Sequence, residues 1–181
     1  MRHVLMVIAQ DQFRDEEYVR PKEVLERRGA VVTTASVAPG TCTGKLGLTA
    51  VADLALADVD HTSYDAVAFI GGGGSAMFFD DPIAHDLARA FLTTGRPVAA
   101  ICIAPSTLAR AGVLADRRAT AFPSQEDDLR AHGALWTGAP IEVDGTVITA
   151  NGPAAAADFG EAIADALGLT GAMPSSDSER H

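Results

Sequence analysis

Short apolar runs alternate with amphipathic segments along most of this chain, and that alternation is the strongest constraint on its fold. Buried strands of a parallel sheet are typically continuous apolar runs, whereas helices place apolar residues three or four apart. The predicted strands are Val4 to Ala9, Ala30 to Val37, Tyr64 to Ile70, Val98 to Ile101, Ala119 to Phe122 and Val147 to Ala150. The predicted helices are Asp15 to Arg28, Pro82 to Thr94, a segment that follows Ala104, Gln125 to His132 and Ala154 to Leu167.

This order predicts an α/β fold in which helices cover both faces of a mainly parallel central sheet, a three-layer sandwich. A Gly- and Thr-rich stretch from Pro39 to Thr49 predicts a small hairpin beside it. The length of 181 residues with 48% hydrophobic content fits one domain, predicted to cover residues 1–169. Residues 170–181, which contain Ser, Asp and Glu, are predicted to form a disordered tail.

Charge and composition exclude several classes of partner. Fourteen basic against twenty-four acidic residues give a net charge of −10, which repels phosphate backbones, so we expect no nucleic acid partner. No stretch approaches the roughly 20 apolar residues that cross a bilayer, and residues 1–9 are typical of a first strand rather than a signal peptide. We therefore expect no membrane contact and a cytoplasmic location.

The cysteine count is low. Cys42 and Cys102 are the only two cysteines, which argues against a disulfide framework and favours free thiols. The histidines, cysteines and carboxylates show no zinc-ligand spacing, so we expect neither a metal nor a cofactor. Cys42 lies in a Thr- and Gly-rich segment and is expected to be exposed or at an interface, without a catalytic role.

Cys102 stands where the strand Val98 to Ile101 stops and a helix starts. Backbone N–H groups at a helix N-terminus favour a thiolate, so this position predicts a lowered thiol pKa and a reactive sulfur. The alternative is an inert thiol that fills the core, since free cysteines are often buried.

Three groups of chemically useful residues follow predicted strands. They are the acidic stretch after Ala9, the glycines 71–74 after Ile70, and Cys102 itself. The carboxyl ends of parallel strands meet at one edge of a sheet, so these groups are expected to converge. The glycines lack the Gly-Lys-Ser/Thr ending of a phosphate-binding loop.

Four segments together make the chain resemble the DJ-1/PfpI (ThiJ) family of the class I glutamine amidotransferase-like superfamily. They are Phe13-Arg14-Asp15-Glu16-Glu17-Tyr18 with Pro21, Tyr64 to Gly73, Ala100-Ile101-Cys102 with Leu108-Ala109, and Ile148 to Pro153. The resemblance covers roughly residues 3–168. It implies a flavodoxin-like sandwich, a nucleophile elbow at the cysteine, a small-molecule substrate and a homodimer.

The resemblance also implies roles for individual residues. Glu17 matches the family glutamate that contacts the cysteine sulfur, with a carboxyl group that burial would keep protonated. Backbone N–H groups of Gly72 or Gly73 and of Ile103 are then candidates for an oxyanion hole beside the catalytic Cys102. The alternatives are a solvated helix residue at Glu17 and a plain glycine-rich turn after Ile70.

The chain departs from the family where many members carry a histidine. Ile103 stands directly after the cysteine, and the Phe122-Pro123 region lacks the second family imidazole. The five histidines present are expected at surface or capping positions: His3, His61, His85, His132 and His181. This departure weakens hydrolysis of amides, which needs an acid for the leaving amine.

Three functions remain open at this stage. The first is an enzyme in which Cys102 attacks small electrophilic carbonyl compounds, glyoxalase- or deglycase-like, or acts as a cysteine-dependent hydrolase or amidase. The second is a non-catalytic redox or oxidative-stress sensor that works through oxidation of Cys102. The third, a metabolite-binding module with an unreactive cysteine, requires Glu17 to face solvent.

Overall fold

The computed structural model describes residues 1–170 and contains twelve strands and five α-helices. The strands are β1 His3–Val7, β2 Asp11–Phe13, β3 Val31–Ser36, β4 Gly40–Gly44, β5 Thr49–Ala52, β6 Leu54–Ala55, β7 Ala66–Phe69, β8 Val98–Ile101, β9 Arg118–Ala119, β10 Leu135–Trp136, β11 Ile141–Asp144 and β12 Val147–Ala150. The helices are α1 Asp15–Arg27, α2 Pro82–Thr93, α3 Pro105–Arg110, α4 Glu126–Ala131 and α5 Ala156–Ala166.

Seven strands form the central sheet in the order β11-β12-β8-β7-β1-β3-β6. All neighbours are parallel except β11 and β12, which form an antiparallel pair at one edge. Every residue of β7, β8 and β12 is buried, which is why these strands read as continuous apolar runs. The predicted mainly parallel sheet is confirmed.

Two apolar cores flank this sheet. One core joins Leu5 and Val67 to Phe91 of α2 and Leu108 of α3. The other joins the alternate strand residues to the buried sides of α1 and α5. The second core is tight: a Cβ on Gly160 of α5 would lie 2.7 Å from the Cα of Pro21 in α1. Helices on both faces confirm the three-layer sandwich.

The predicted hairpin is real and belongs to a larger unit. Strands β4 and β5 pair antiparallel, and β2 adds to β4 in parallel to make a three-stranded sheet. The carboxylate of Asp15 accepts from the backbone N–H groups of Leu46 at 2.9 Å and Leu48 at 2.8 Å, in the turn between β4 and β5. The turn is thereby fixed to the start of α1.

The predicted strand Ala119 to Phe122 needs correction. Only Arg118–Ala119 forms a strand, β9, and it pairs with β10 in a separate two-stranded sheet. The backbone N–H of Phe122 donates to the carbonyl of Cys102 at 2.8 Å, and the next residue, Pro123, has no N–H to extend a ladder.

No helix within residues 1–170 is both long and apolar enough to cross a membrane. The tail predicted at 170–181 lies, apart from Thr170, outside the described residues.

Candidate active site

Cys102 forms a sharp elbow between β8 and α3. Its φ is 65°, a left-handed value that is uncommon for residues other than glycine. The backbone is fixed on both sides, because the N–H of Cys102 donates to the carbonyl of Ala150 at 2.9 Å and its own carbonyl accepts from Phe122. Helix α3 begins three residues later, at Pro105. The elbow therefore presents the sulfur at the carboxyl edge of the central sheet.

Glu17 lies in the first turn of α1 and is completely buried. The N–H of Arg14 donates to the carbonyl of Gly71 at 2.9 Å, which sets the start of α1 against the loop that follows β7. A Cβ on Gly71 would collide with Oε1 of Glu17 and with Cβ of Cys102. Neither carboxyl oxygen of Glu17 has a geometrically sound hydrogen-bond partner within residues 1–170. Glu17 and Cys102 thus lie together over one glycine.

The two side chains control each other's ionisation. Burial raises the pKa of Glu17 to about 7, against the opposing effects of the Cys102 contact and the positive charge of Arg14. Burial, followed by the charge of Glu17, raises the pKa of the Cys102 thiol to about 12. Backbone N–H groups of Gly72 and Ile103 face the sulfur and lower that value. The pair therefore loses its first proton near neutral pH.

The predicted lowered thiol pKa is wrong, because burial and then the charge of Glu17 raise the pKa of Cys102. The helix begins after Ala104 as predicted, but the prediction left out burial and the charge of Glu17, which outweigh the two backbone N–H groups. What the sequence indicated correctly is the location of the sulfur.

A cleft of about 200 Å³ opens over the sulfur. Its walls include Gly72, Gly73, Ile103, Phe122 and Pro153, and two cations, Arg14 and Lys45, also line it. Gly72 is required at its position, because its φ is 99° and a Cβ would run into the backbone of residues 12–14. The cleft suits a ligand of a few heavy atoms.

The structure brings together Cys102, Glu17, Gly72 and Ile103, and places Gly73 in the cleft wall. No histidine of the described residues lines this cleft. His61 instead binds Arg96, with 2.8 Å between its Nδ1 and the guanidinium.

Cys42 is wholly buried in β4, so the expectation of an exposed or interface position is wrong. The cleft residues that sequence reasoning missed are Arg14 and Lys45. Arg14 belongs to the Phe13 to Tyr18 segment that carries the family resemblance. For Lys45, nothing in the sequence pattern indicated that β4 would pair with β2 and bring this residue to the same cleft. Within residues 1–170, no group of three or more His, Cys, Asp or Glu side chains is arranged to hold a metal ion.

Known proteins are similar to this chain in sequence and in fold. The sequence model described as the DJ-1/PfpI family matches residues 2–166. A deglycase of Pyrococcus abyssi is 35% identical over 82% of this chain and 90% of its own length. A ThiJ/PfpI domain protein of Brachyspira murdochii has a TM-score of 0.90 at 33% identity, over 92% of this chain and 96% of its own. Drosophila melanogaster DJ-1beta has a TM-score of 0.84 at 29% identity, over 94% of this chain and 91% of its own.

Proposed function

The chain belongs to the DJ-1/PfpI family, and from this premise we propose that it is a cysteine-dependent enzyme of the glyoxalase or deglycase type, acting on small 2-oxoaldehydes. The observation that carries the proposal is the buried Glu17 carboxyl beside the Cys102 sulfur at the floor of a small cleft. A general base works best when its pKa lies near the working pH, and burial places the Glu17 pKa there. The deglycase name of the Pyrococcus abyssi relative is consistent with this reaction class.

In the first step, Glu17 takes the thiol proton while the Cys102 sulfur adds to the aldehyde carbon. A C–S bond forms and the π bond of the carbonyl breaks, so negative charge develops on its oxygen. The N–H groups of Gly72 and Ile103 lie beside the sulfur and would stabilise that charge. Glu17 then gives its proton to the oxygen, which completes a hemithioacetal.

In the second step, Glu17, again a carboxylate, removes the hydrogen on the former aldehyde carbon as a proton. The electron pair moves into an enediol, and return of the proton to the neighbouring carbon leaves a thioester on Cys102. Water hydrolyses the thioester, which releases a 2-hydroxy acid and restores the thiol. The sum is addition of one water to a 2-oxoaldehyde, without any change in the oxidation state of the protein.

Conversion of methylglyoxal to lactate tests this function. We expect turnover in the wild type, none in Cys102→Ser, and a loss of at least a hundredfold in Glu17→Gln, in line with removal of a general base. Glu23→Gln is the matched control, because Glu23 is an exposed residue of the same helix. Equal turnover in Glu17→Gln and Glu23→Gln would overturn the role of Glu17.

A redox sensor is the second candidate. The same two N–H groups that face the sulfur could bind the oxygens of a sulfinate, and oxidation needs no imidazole. Treatment with hydrogen peroxide followed by peptide mass analysis measures it. A stoichiometric gain of two oxygens at Cys102, together with absence of turnover on every 2-oxoaldehyde, would favour the sensor over the enzyme.

The homodimer implied by the family resemblance is also a proposal, as is the single domain at residues 1–169. Sedimentation velocity measures the first, and limited proteolysis the second.

A further inference from the structure

The mouth of the Cys102 cleft is positively charged, although the chain as a whole carries a net charge of −10. Arg14 and Lys45 are the charged side chains among the residues that line the cleft. Glu17 lies behind the sulfur with no exposed surface. An anionic ligand in the cleft therefore lies against two cationic side chains and no exposed surface of Glu17.

Backbone contacts fix both cations relative to the sulfur. The N–H of Lys45 donates to the carbonyl of Phe13 at 2.8 Å, which ties the turn after β4 to β2. The N–H of Arg14 donates to Gly71, the residue packed against Cys102. These bonds fix the backbone from which the two cationic side chains extend into the lining of the cleft.

The two cations differ in availability. The guanidinium of Arg14 is bound by Glu16, with Nη2 and Oε2 3.0 Å apart. Lys45 is exposed, and no carboxylate within residues 1–170 lies within 4.0 Å of its ammonium group. Lys45 is therefore the cation that can bind an incoming anion directly, while Arg14 adds to the positive potential.

We propose that Lys45, assisted by Arg14, binds a carboxylate of the substrate, so that the preferred substrates are 2-oxoaldehydes with a carboxylate at the far end. The inference rests on the proposed function, because it names the substrate class of that same reaction. A lysine ammonium group on a flexible stem suits a single carboxylate as a point charge.

The size of the cleft limits the substrate. A cleft of about 200 Å³ suits a small group next to the sulfur, and a 2-oxoaldehyde with a short carbon chain is of this kind. In such a substrate the aldehyde carbon would meet the sulfur, and the carboxylate would lie toward Lys45 at the mouth. A neutral 2-oxoaldehyde of the same length would make the same bond to Cys102 and lack the charge contact.

A matched pair of substrates tests the proposal. The pair is 4,5-dioxopentanoate and 2-oxopentanal, which differ in that a terminal methyl group replaces the carboxylate. We expect the ratio of their kcat/KM values to favour the carboxylate by about tenfold in the wild type, as for one charged hydrogen bond, and to fall to near one in Lys45→Gln. Lys45→Arg should retain most of the preference, and added salt should weaken it.

Lys22→Gln is the matched control. Lys22 is the only other lysine of the chain, and its ammonium group is paired with Glu26 at 3.0 Å on α1. We expect this variant to keep the wild-type ratio. A ratio that is the same in wild type, Lys45→Gln and Lys22→Gln would overturn the proposal.

Alkylation of Cys102 separates failure of this inference from failure of the proposed function. 5-Bromo-4-oxopentanoate and 1-bromopentan-2-one alkylate the same sulfur through a terminal carbon, have the same chain length as the two substrates, and differ in that a terminal methyl group replaces the carboxylate. We expect Lys45→Gln to lower the ratio of their rates by about tenfold, measured by mass analysis of the Cys102 peptide. Absence of turnover with a preserved preference for the carboxylate reagent would reject the enzyme and keep the anion site. A rate ratio unaffected by Lys45→Gln would reject the anion site, whatever the turnover.

Discussion

Glu17 and Cys102 touch the same face of Gly71, although 85 positions of sequence separate them. Gly71 has no Cβ, and that missing atom leaves the space in which the buried carboxyl group of Glu17 meets the partly exposed thiol of Cys102. Burial raises the pKa of both groups, and the charge of Glu17 raises that of Cys102 further, so the two titrate as one unit. The chemistry proposed for the cleft depends on this contact.

The contact predicts that Gly71→Ala inactivates the protein and destabilises it. A new Cβ would meet Glu17, Cys102 and the carbonyl of Ile101, so the expected loss is about 2 kcal/mol, as for overpacked cores. Gly73→Ala is the control, because a Cβ there meets nothing within 4 Å. Urea unfolding of both variants measures the difference. Equal stabilities would contradict the close packing at Gly71.

The raised pKa of Glu17 predicts how turnover depends on pH. The base form of Glu17 is the ionised form, so kcat/KM for methylglyoxal should rise with pH and level off above about 7. Glu17→Gln has no group that titrates there, and its residual rate should lack this step. A step that persists unchanged in Glu17→Gln would assign the titration to another group.

The same pKa predicts how stability depends on pH. A carboxyl whose folded pKa exceeds its ordinary 4.5 favours folding fully below pH 4.5, and this contribution is lost as pH rises to about 7. The loss is of order 3 kcal/mol, since one pKa unit is worth about 1.4 kcal/mol. The Glu17→Gln variant should not show this loss of stability, because its side chain at position 17 does not ionise. Urea unfolding of both proteins at pH 4.5 and pH 8 measures the difference, and parallel losses would contradict the prediction.

The sequence pattern was sufficient to predict the sandwich and the convergence of the acidic stretch after Ala9, the glycines after Ile70 and Cys102, whereas the family resemblance singled out Glu17. Continuous apolar strands can only be buried ones, and the carboxyl ends of parallel strands meet at one edge. Local sequence patterns therefore predicted contacts between distant residues in this part of the chain, because residues that follow parallel strands lie at the same edge of the sheet.

The parts that failed depend on contacts between segments that no local pattern encodes. The direction of the Cys102 pKa follows from how completely Glu17 is buried, which is a property of the packed core. Lys45 lies at the cleft because β4 pairs with β2. Strand β2 has only three residues, which is too short to be predicted from the sequence pattern. Phe122 was assigned to a strand because its apolar surroundings resemble one, although Pro123 ends the ladder.

The contact between Asp15 and the turn that joins β4 to β5 can be tested by mutation. Burial opposes its ionisation, but the N–H groups of Leu46 and Leu48 outweigh burial and hold its pKa below the ordinary value. Asp15→Asn turns an NH₂ group toward one of these donors, so we expect a loss of about 1–3 kcal/mol in urea unfolding at pH 7. Asp58→Asn, at an exposed position, should cost almost nothing. The same loss in both variants would show that Asp15 does not anchor the turn.

The left-handed backbone of Cys102 gives the last prediction. A φ of 65° disfavours any residue with a Cβ, typically by 1–3 kcal/mol at strained functional sites, whereas glycine adopts it freely. Cys102→Gly should therefore unfold at a higher urea concentration than Cys102→Ala, by about 1 kcal/mol, although glycine normally destabilises relative to alanine. Neither variant has a sulfur, so the comparison isolates the backbone. If the alanine variant is the more stable, the elbow stores no strain, and the reactivity of Cys102 depends on its neighbours alone.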